Sequence, residues 1–202
     1  MEKGILFKFG TLAKAVSSKH WETLSLETMS AWSEWIVILT DNAEAYIDKI
    51  NAVVEKTERP ITCFVIDLHP CSNYKLLQRL WRNYVMTDKN SVETLLNFIY
   101  HHLVNHSRIS FVLQNFRELS VPYPLIRAAS AEIGKEMPFD NKAQGVCYGL
   151  CLMQDDDHAT SYINALSDRI GMYGDGINVP WSIQFSADNV VEALFFYKPN
   201  FN

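Results

Sequence analysis

The chain has 202 residues, 48% of them hydrophobic and 20% charged, which is the balance of a globular domain with a core large enough to need no disulfide or metal staple. Its 18 Lys and Arg against 23 Asp and Glu leave a net charge of −5, so there is no broad basic field of the kind that holds a phosphate backbone, and nucleic acid is excluded as a partner class. Four cysteines, none in a CxxC spacing, suit reduced thiols in a cytoplasmic setting, and no apolar run reaches the length of a membrane span or signal core.

Trp35 to Leu39 is a short apolar run that predicts a buried strand. Asp41 followed by Glu44 has the spacing of a capping box, opening a helix that buries Ala43, Tyr46, Ile47, Ile50, Val53 and Val54 and stops before Arg59-Pro60. Ile61 to Leu68 is the strongest strand, rich in β-branched and aromatic residues and ended by His69-Pro70. Leu76, Leu77, Leu80, Trp81, Tyr84 and Val85 form one helical stripe, and Ser91 caps a second carrying Val92, Leu95, Leu96, Ile99 and Leu103. Ile109 to Leu113 returns to strand character, and Pro122, Pro124 and Pro138 punctuate the next region.

Gln144 to Met153 reads as the start of a buried helix. A further amphipathic helix, with Asp155 to Asp157 at its N-terminal end, carries Ala159, Tyr162, Ile163, Leu166 and Ile170. Trp181 to Phe185 and Val190 to Tyr197, separated by Ser186 to Asn189, predict a closing β-hairpin. Alternating strands and helices make this an α/β chain, with α+β as the alternative: a mixed sheet, flanking helices and a C-terminal β-hairpin. No linker or repeat compels a second unit, so residues 1–202 read as one domain, with the softest boundary near 119–140.

Chemistry is best placed at Gly145-Val-Cys-Tyr-Gly-Leu150. A cysteine in the first turn of a helix gains thiolate character from unpaired backbone N–H groups, which also hold an oxyanion, so Cys147 is the candidate nucleophile and Gln144 a candidate oxyanion donor. These residues resemble the nucleophile segment of papain-like cysteine proteases, in particular the YopT-type proteases secreted by bacterial pathogens. Ala193 to Phe201 looks like the late strand of that family.

Carried over position by position, Lys198 falls where the orienting aspartate belongs and Trp181 or Ser182 where the base histidine belongs, so both catalytic partners are missing. The resemblance implies a non-catalytic interaction domain, a degenerate papain-like fold from a bacterial effector delivered into the host cytosol, with a protein as partner or substrate. The alternative is a thiol-dependent hydrolase or acyltransferase on Cys147, for which His69, beyond the strand that carries Asp67, is a candidate base. The plainer reading makes Cys147 and Cys151 small core residues on one helix face.

His102 and His106 have the i, i+4 spacing of a metal pair, with His101 turned away, but no third ligand is marked. They read as histidines bordering the apolar stripe, and neither a metal nor a cofactor is expected. His158 lies eleven residues from Cys147, about 16 Å along a helix and too far to share a proton. Trp21, Trp32 and Trp35 read as core.

Overall fold

The computed structural model describes residues 4–29, 35–57, 60–104, 113–136, 138–152, 160–165, 168, 179–186 and 188–201. Among them nine strands form one sheet: β1 (Gly4–Phe9), β2 (Trp21–Thr23), β3 (Ile36–Thr40), β4 (Cys63–Asp67), β5 (Asn83–Met86), β6 (Leu125–Glu132), β7 (Gly145–Leu152), β8 (Trp181–Phe185) and β9 (Val190–Tyr197). Their order across the sheet is β2-β1-β3-β4-β5-β6-β9-β7-β8. Every neighbouring pair from β2 to β6 is parallel, β9 runs antiparallel to both β6 and β7, and β8 is parallel to β7. The sheet is therefore mixed, as the alternation of elements predicts.

Helices among the described residues include α1 (Thr11–Ala15), α2 (Ile47–Lys56), α3 (Tyr74–Leu80), α4 (Val92–Ile99), which runs on into a π-helical turn at Tyr100–Val104, and α5 (Leu113–Ser120). Successive strand residues point to opposite faces, so a strand covered on both sides must be apolar throughout, and every residue of β3 and of β4 is buried. Val37, Leu39, Phe64 and Ile66 join Leu95, Leu96 and Ile99 of α4 in one core. Ile36, Ile38, Cys63 and Val65 join Ile50 and Val53 of α2 and Leu77 of α3 in the other. The first core continues beneath the second half of the sheet through Ile126, Cys147, Leu194 and Phe196, and a third covers that half's opposite face around Val146, Tyr148, Leu150 and Val191.

Several expectations change. The stripe from Leu76 to Val85 is two elements: α3 ends at Leu80, and Asn83 opens β5, its amide donating to the carbonyls of Ile61 and Cys63 at 2.8 and 3.0 Å. Asp41 caps α1 instead of α2, its carboxylate accepting the N–H groups of Leu12 and Ala13 at 2.9 and 2.6 Å. Residues 109–112 lie outside the described residues, and Leu113 opens a helix. The run from Gly145 to Leu152 is a strand with every residue buried, so it shows neither alternation nor helical period.

The C-terminal hairpin is also corrected. β8 and β9 lie on opposite sides of β7, and Ser186 to Asn189, where Asn189 takes a left-handed φ of 46°, joins strands two spacings apart, roughly 10 Å. Ser186 N–H donates to the Leu152 carbonyl at 2.6 Å, holding this connection over the end of β7. Residues 160–165 are helical, as expected for the segment after the aspartates.

Candidate metal centre

Strand register sets out the floor of the site. Glu192 of β9, Gly149 of β7 and Ser182 of β8 are neighbours in adjacent strands, so they face the same side of the sheet, and Cys151 lies two residues further along β7 on that side. The π turn at the end of α4 lies above. In an α-helix consecutive residues diverge by about 100°. The wider π turn reduces that angle, and His101 and His102 are both buried, 4% and 1% exposed. Gly149 makes room for them: a Cβ there would collide with His102 Nε2.

His101, His102, Cys151 and Glu192 each offer a donor atom, and these atoms lie within 4.8 Å of one another. Glu192 Oε2 is 3.2 Å from His101 Nδ1 and 3.4 Å from His102 Nε2. Cys151 Sγ is 3.3 Å from the first nitrogen and 3.9 Å from the second. Bond lengths of a tetrahedral zinc ion give edges of about 3.3 Å between nitrogen and oxygen donors and about 3.6 Å between nitrogen and sulfur. The observed separations straddle those edges.

The outer atoms of both rings are also partnered. His102 Nδ1 is 2.6 Å from Ser182 Oγ, and His101 Nε2 is 3.3 Å from Asp188 Oδ2. With a cation inside, each imidazole turns a lone pair inward and donates its other N–H outward, to a hydroxyl and a carboxylate, the usual outer shell of metal-bound histidine. Without one, two neutral rings that both donate to Glu192 leave the lone pair of His101 Nε2 facing the Asp188 carboxylate.

Protonation follows the same logic. Burial holds His102 below the usual imidazole range. Burial pushes Glu192 up, but hydrogen bonds from His101 and His102, and their charges, outweigh it, and the carboxyl lies below its ordinary value. Burial pushes the Cys151 thiol up, the charges of Glu192 and Asp188 adding to it; a coordinated dication reverses that and expels the proton. A dication with one thiolate, one carboxylate and two neutral imidazoles sums to zero charge, the arrangement least costly to bury.

The residues singled out by sequence lie elsewhere. Cys147 is fully buried in the first core, where burial raises its thiol far above the ordinary range. Gln144 points to the opposite face of β7, and its side-chain oxygen accepts the Lys198 backbone N–H at 2.8 Å. His69 is exposed beyond β4, separated from β7 by β5, β6 and β9, or roughly 19 Å across the sheet. The fold does not bring these three together. His106, His158 and Trp32 lie outside the described residues, Trp21 is in the core, and Trp35 is packed against it.

His101 points inward, contrary to expectation, because the turn that carries it is π-helical. The signal that would have exposed the site is Glu192, a lone acid in the apolar run Val190 to Tyr197, which cannot be buried without a partner.

Away from the cluster, an open cleft of about 800 Å³ beside β1 and α1 is lined in part by Lys8, Lys14 and Lys49. The Lys8 ammonium is already engaged, donating to the Val16 carbonyl at 2.5 Å. The Leu12 and Ala13 N–H groups at the start of α1 are taken by Asp41.

No protein-family model matches the chain, and no curated protein matches it. Among solved structures it is similar to TubZ of Bacillus thuringiensis serovar israelensis in GDP-form protofilaments, with 12% identity, 83% of this chain and 62% of that chain covered, and a TM-score of 0.47. It is also similar to the W319Y mutant of FtsZ from M. jannaschii, with 9% identity, 98% and 91% of the two chains covered, and a TM-score of 0.49. The chain thus spans 62% of the length of that TubZ chain. Similarity at this level assigns no ligand or activity.

These neighbours are TubZ and FtsZ, not papain-like proteases, and the resemblance to YopT-type effectors is corrected accordingly. The functions drawn from it go too: the effector-derived interaction domain, its delivery into a host cytosol, and the thiol-dependent hydrolase. The physical reason is local. Cys147 lies in the middle of a strand, without the free N–H groups of a helix start. No described helix is long and apolar enough to cross a membrane.

Proposed function

We propose that this chain is a metal-binding protein that holds one zinc-class divalent ion on His101 Nδ1, His102 Nε2, Cys151 Sγ and Glu192. The observation that carries the reading is the convergence of four donor atoms within 4.8 Å of one another, four of their six separations, 3.2, 3.4, 3.3 and 3.9 Å, straddling the edges of a zinc tetrahedron, among residues no more than 4% exposed. Mixed imidazole, thiolate and carboxylate donors favour zinc over magnesium or calcium, which take oxygen ligands.

Four protein donors fill a tetrahedron and leave no position for substrate, so the ion's role is structural. It ties the end of α4 to β7 and β9, and through Ser182 to β8. The same closure sets aside nucleophilic chemistry at Cys151: its sulfur meets His101, but the residue is fully buried and no substrate reaches it.

Elemental analysis of protein purified without chelator from zinc-replete cells tests this. We predict one equivalent of zinc per chain, and a thiolate-to-cobalt charge-transfer band on cobalt substitution that Cys151→Ala abolishes. Glu192→Gln should weaken binding at least tenfold, in keeping with the loss of a charged ligand. Wild-type protein that is folded yet carries no metal, before and after zinc dialysis, overturns the assignment.

A further inference from the structure

A site this closed needs a way in, and its surroundings are not uniform. Cys151, His102 and Glu192 are between 0% and 2% exposed, whereas His101 adjoins partly exposed groups on its outer side. His101 Nε2 lies 3.3 Å from Asp188 Oδ2, and the His20 ring packs edge-on against His101 with centroids 4.8 Å apart. His20, His101 and Asp188 each present a donor atom within 4.8 Å of the others, with His20 and Asp188 partly exposed.

Two further observations mark this outer group as a place for a cation. His20 Nε2 is buried and has no hydrogen-bond partner, an orphan of the kind that a bound ion or water satisfies. In addition, a cation already caps the group: the Lys19 ammonium, on a side chain 61% exposed, lies 2.8 Å from Asp188 Oδ1. An exposed ion pair of this kind is worth little and opens readily.

We infer that His20, Asp188 and the outer nitrogen of His101 form a loading port, a weak three-ligand position where a divalent ion is first captured, displacing Lys19, before it passes the His101 ring to the buried site. This rests on the proposed function, since a port has meaning only if the inner site fills. Three ligands leave coordination positions to water, so the ion held there stays exchangeable. The transfer is an exchange of ligands and protons: water and the outer donors leave, the inner donors replace them, His101 and His102 each give up the proton on the inward nitrogen and take one on the outward nitrogen by exchange with solvent, and the Cys151 proton is released to solvent.

Stopped-flow cobalt uptake by the full chain, stripped of metal by dialysis against chelator, tests the port by following the thiolate-to-cobalt band. His20→Ala should slow uptake by about tenfold, while Lys19→Met, which removes the competing ammonium, should speed it, on the scale by which local charge alters cation association. Final cobalt content should stay at one equivalent in both. A non-specific disturbance of the loop would slow both variants.

Uptake at the wild-type rate in both variants, or a slowing in both, overturns the port while leaving the inner site standing. Wild-type protein that takes up no cobalt overturns the inner site and the port together.

Discussion

Asp67 shows how a single buried carboxylate organises the parallel half of the sheet. It ends β4 at 1% exposure, and its two oxygens accept the N–H groups of Ala43 and His69 at 3.0 and 3.1 Å and the Tyr84 hydroxyl at 3.1 Å. Burial pushes its carboxyl up by more than those bonds pull it down. The folded protein therefore holds this proton more tightly than the unfolded chain, where the value is about 3.9. The stability it contributes is fully present below that value and is lost as pH rises through the higher folded one. We predict that Asp67→Asn removes this loss: urea midpoints of the wild type should fall relative to the variant as pH rises from about 4 towards neutral. A constant difference between the two across that range would refute it. At this scale the sequence was only partly legible. Asp67 and His69 were visible as a strand end, but of two cysteines in one apolar run the glycine context pointed to Cys147, whereas the residue that meets imidazoles is Cys151. What selects it is register with β9, which one strand alone does not contain.

Elements built from near neighbours were the legible ones. The strand at 35–39, the strand at 61–68 and the helix between them appear as β3, β4 and α2, because β-branched runs and the three-and-four spacing are local properties. β7 was read as a helix because all eight of its residues are buried, and a strand sandwiched on both faces has no alternation to read. Asp41 failed for a different reason: its spacing to Glu44 fits a capping box, yet its oxygens reach back nearly thirty residues to Leu12 and Ala13. That cap joins β3 to the start of α1, whose own N-cap residue is Gly10, with no side chain to offer. Asp41→Ala should cost about 1 kcal/mol of unfolding free energy and Asp41→Asn less, since an amide oxygen still accepts. Equilibrium denaturation checks this, and an unchanged Asp41→Ala free energy would exclude the cap as a stabilising contact.

Across the whole molecule, the alternation of elements predicted an α/β chain with a mixed sheet, and that is the architecture observed. The strand order around β7 was not legible, since a turn signal at Ser186 to Asn189 does not reveal that its two strands have a third between them. That insertion places Glu192, Gly149 and Ser182 side by side and makes the metal site a property of the second half-sheet. Its loss should therefore be felt unevenly. We predict that chelation speeds amide hydrogen exchange in β7, β8, β9 and residues 100–104 while β1, β3 and β4 keep their protection. It should also cost about 2.7 kcal/mol of global stability relative to protein held at a hundredfold excess of zinc over its dissociation constant. Uniform acceleration across the sheet would show that the ion does not act where the ligands are.

The same strand order has a consequence for synthesis. β9 is the last of the nine strands among the described residues, yet it lies between β6 and β7 and supplies Glu192. Growing from its N-terminus at roughly 5–20 residues per second, the chain can close its parallel half early. His101, His102 and Cys151, however, wait without their fourth donor until residue 192 is available, and through that interval β6 and β7 each keep an unpaired edge. Until then the two strand edges stay open and the donor cluster lacks its carboxylate, and the arrival of β9 both pairs those edges and supplies Glu192.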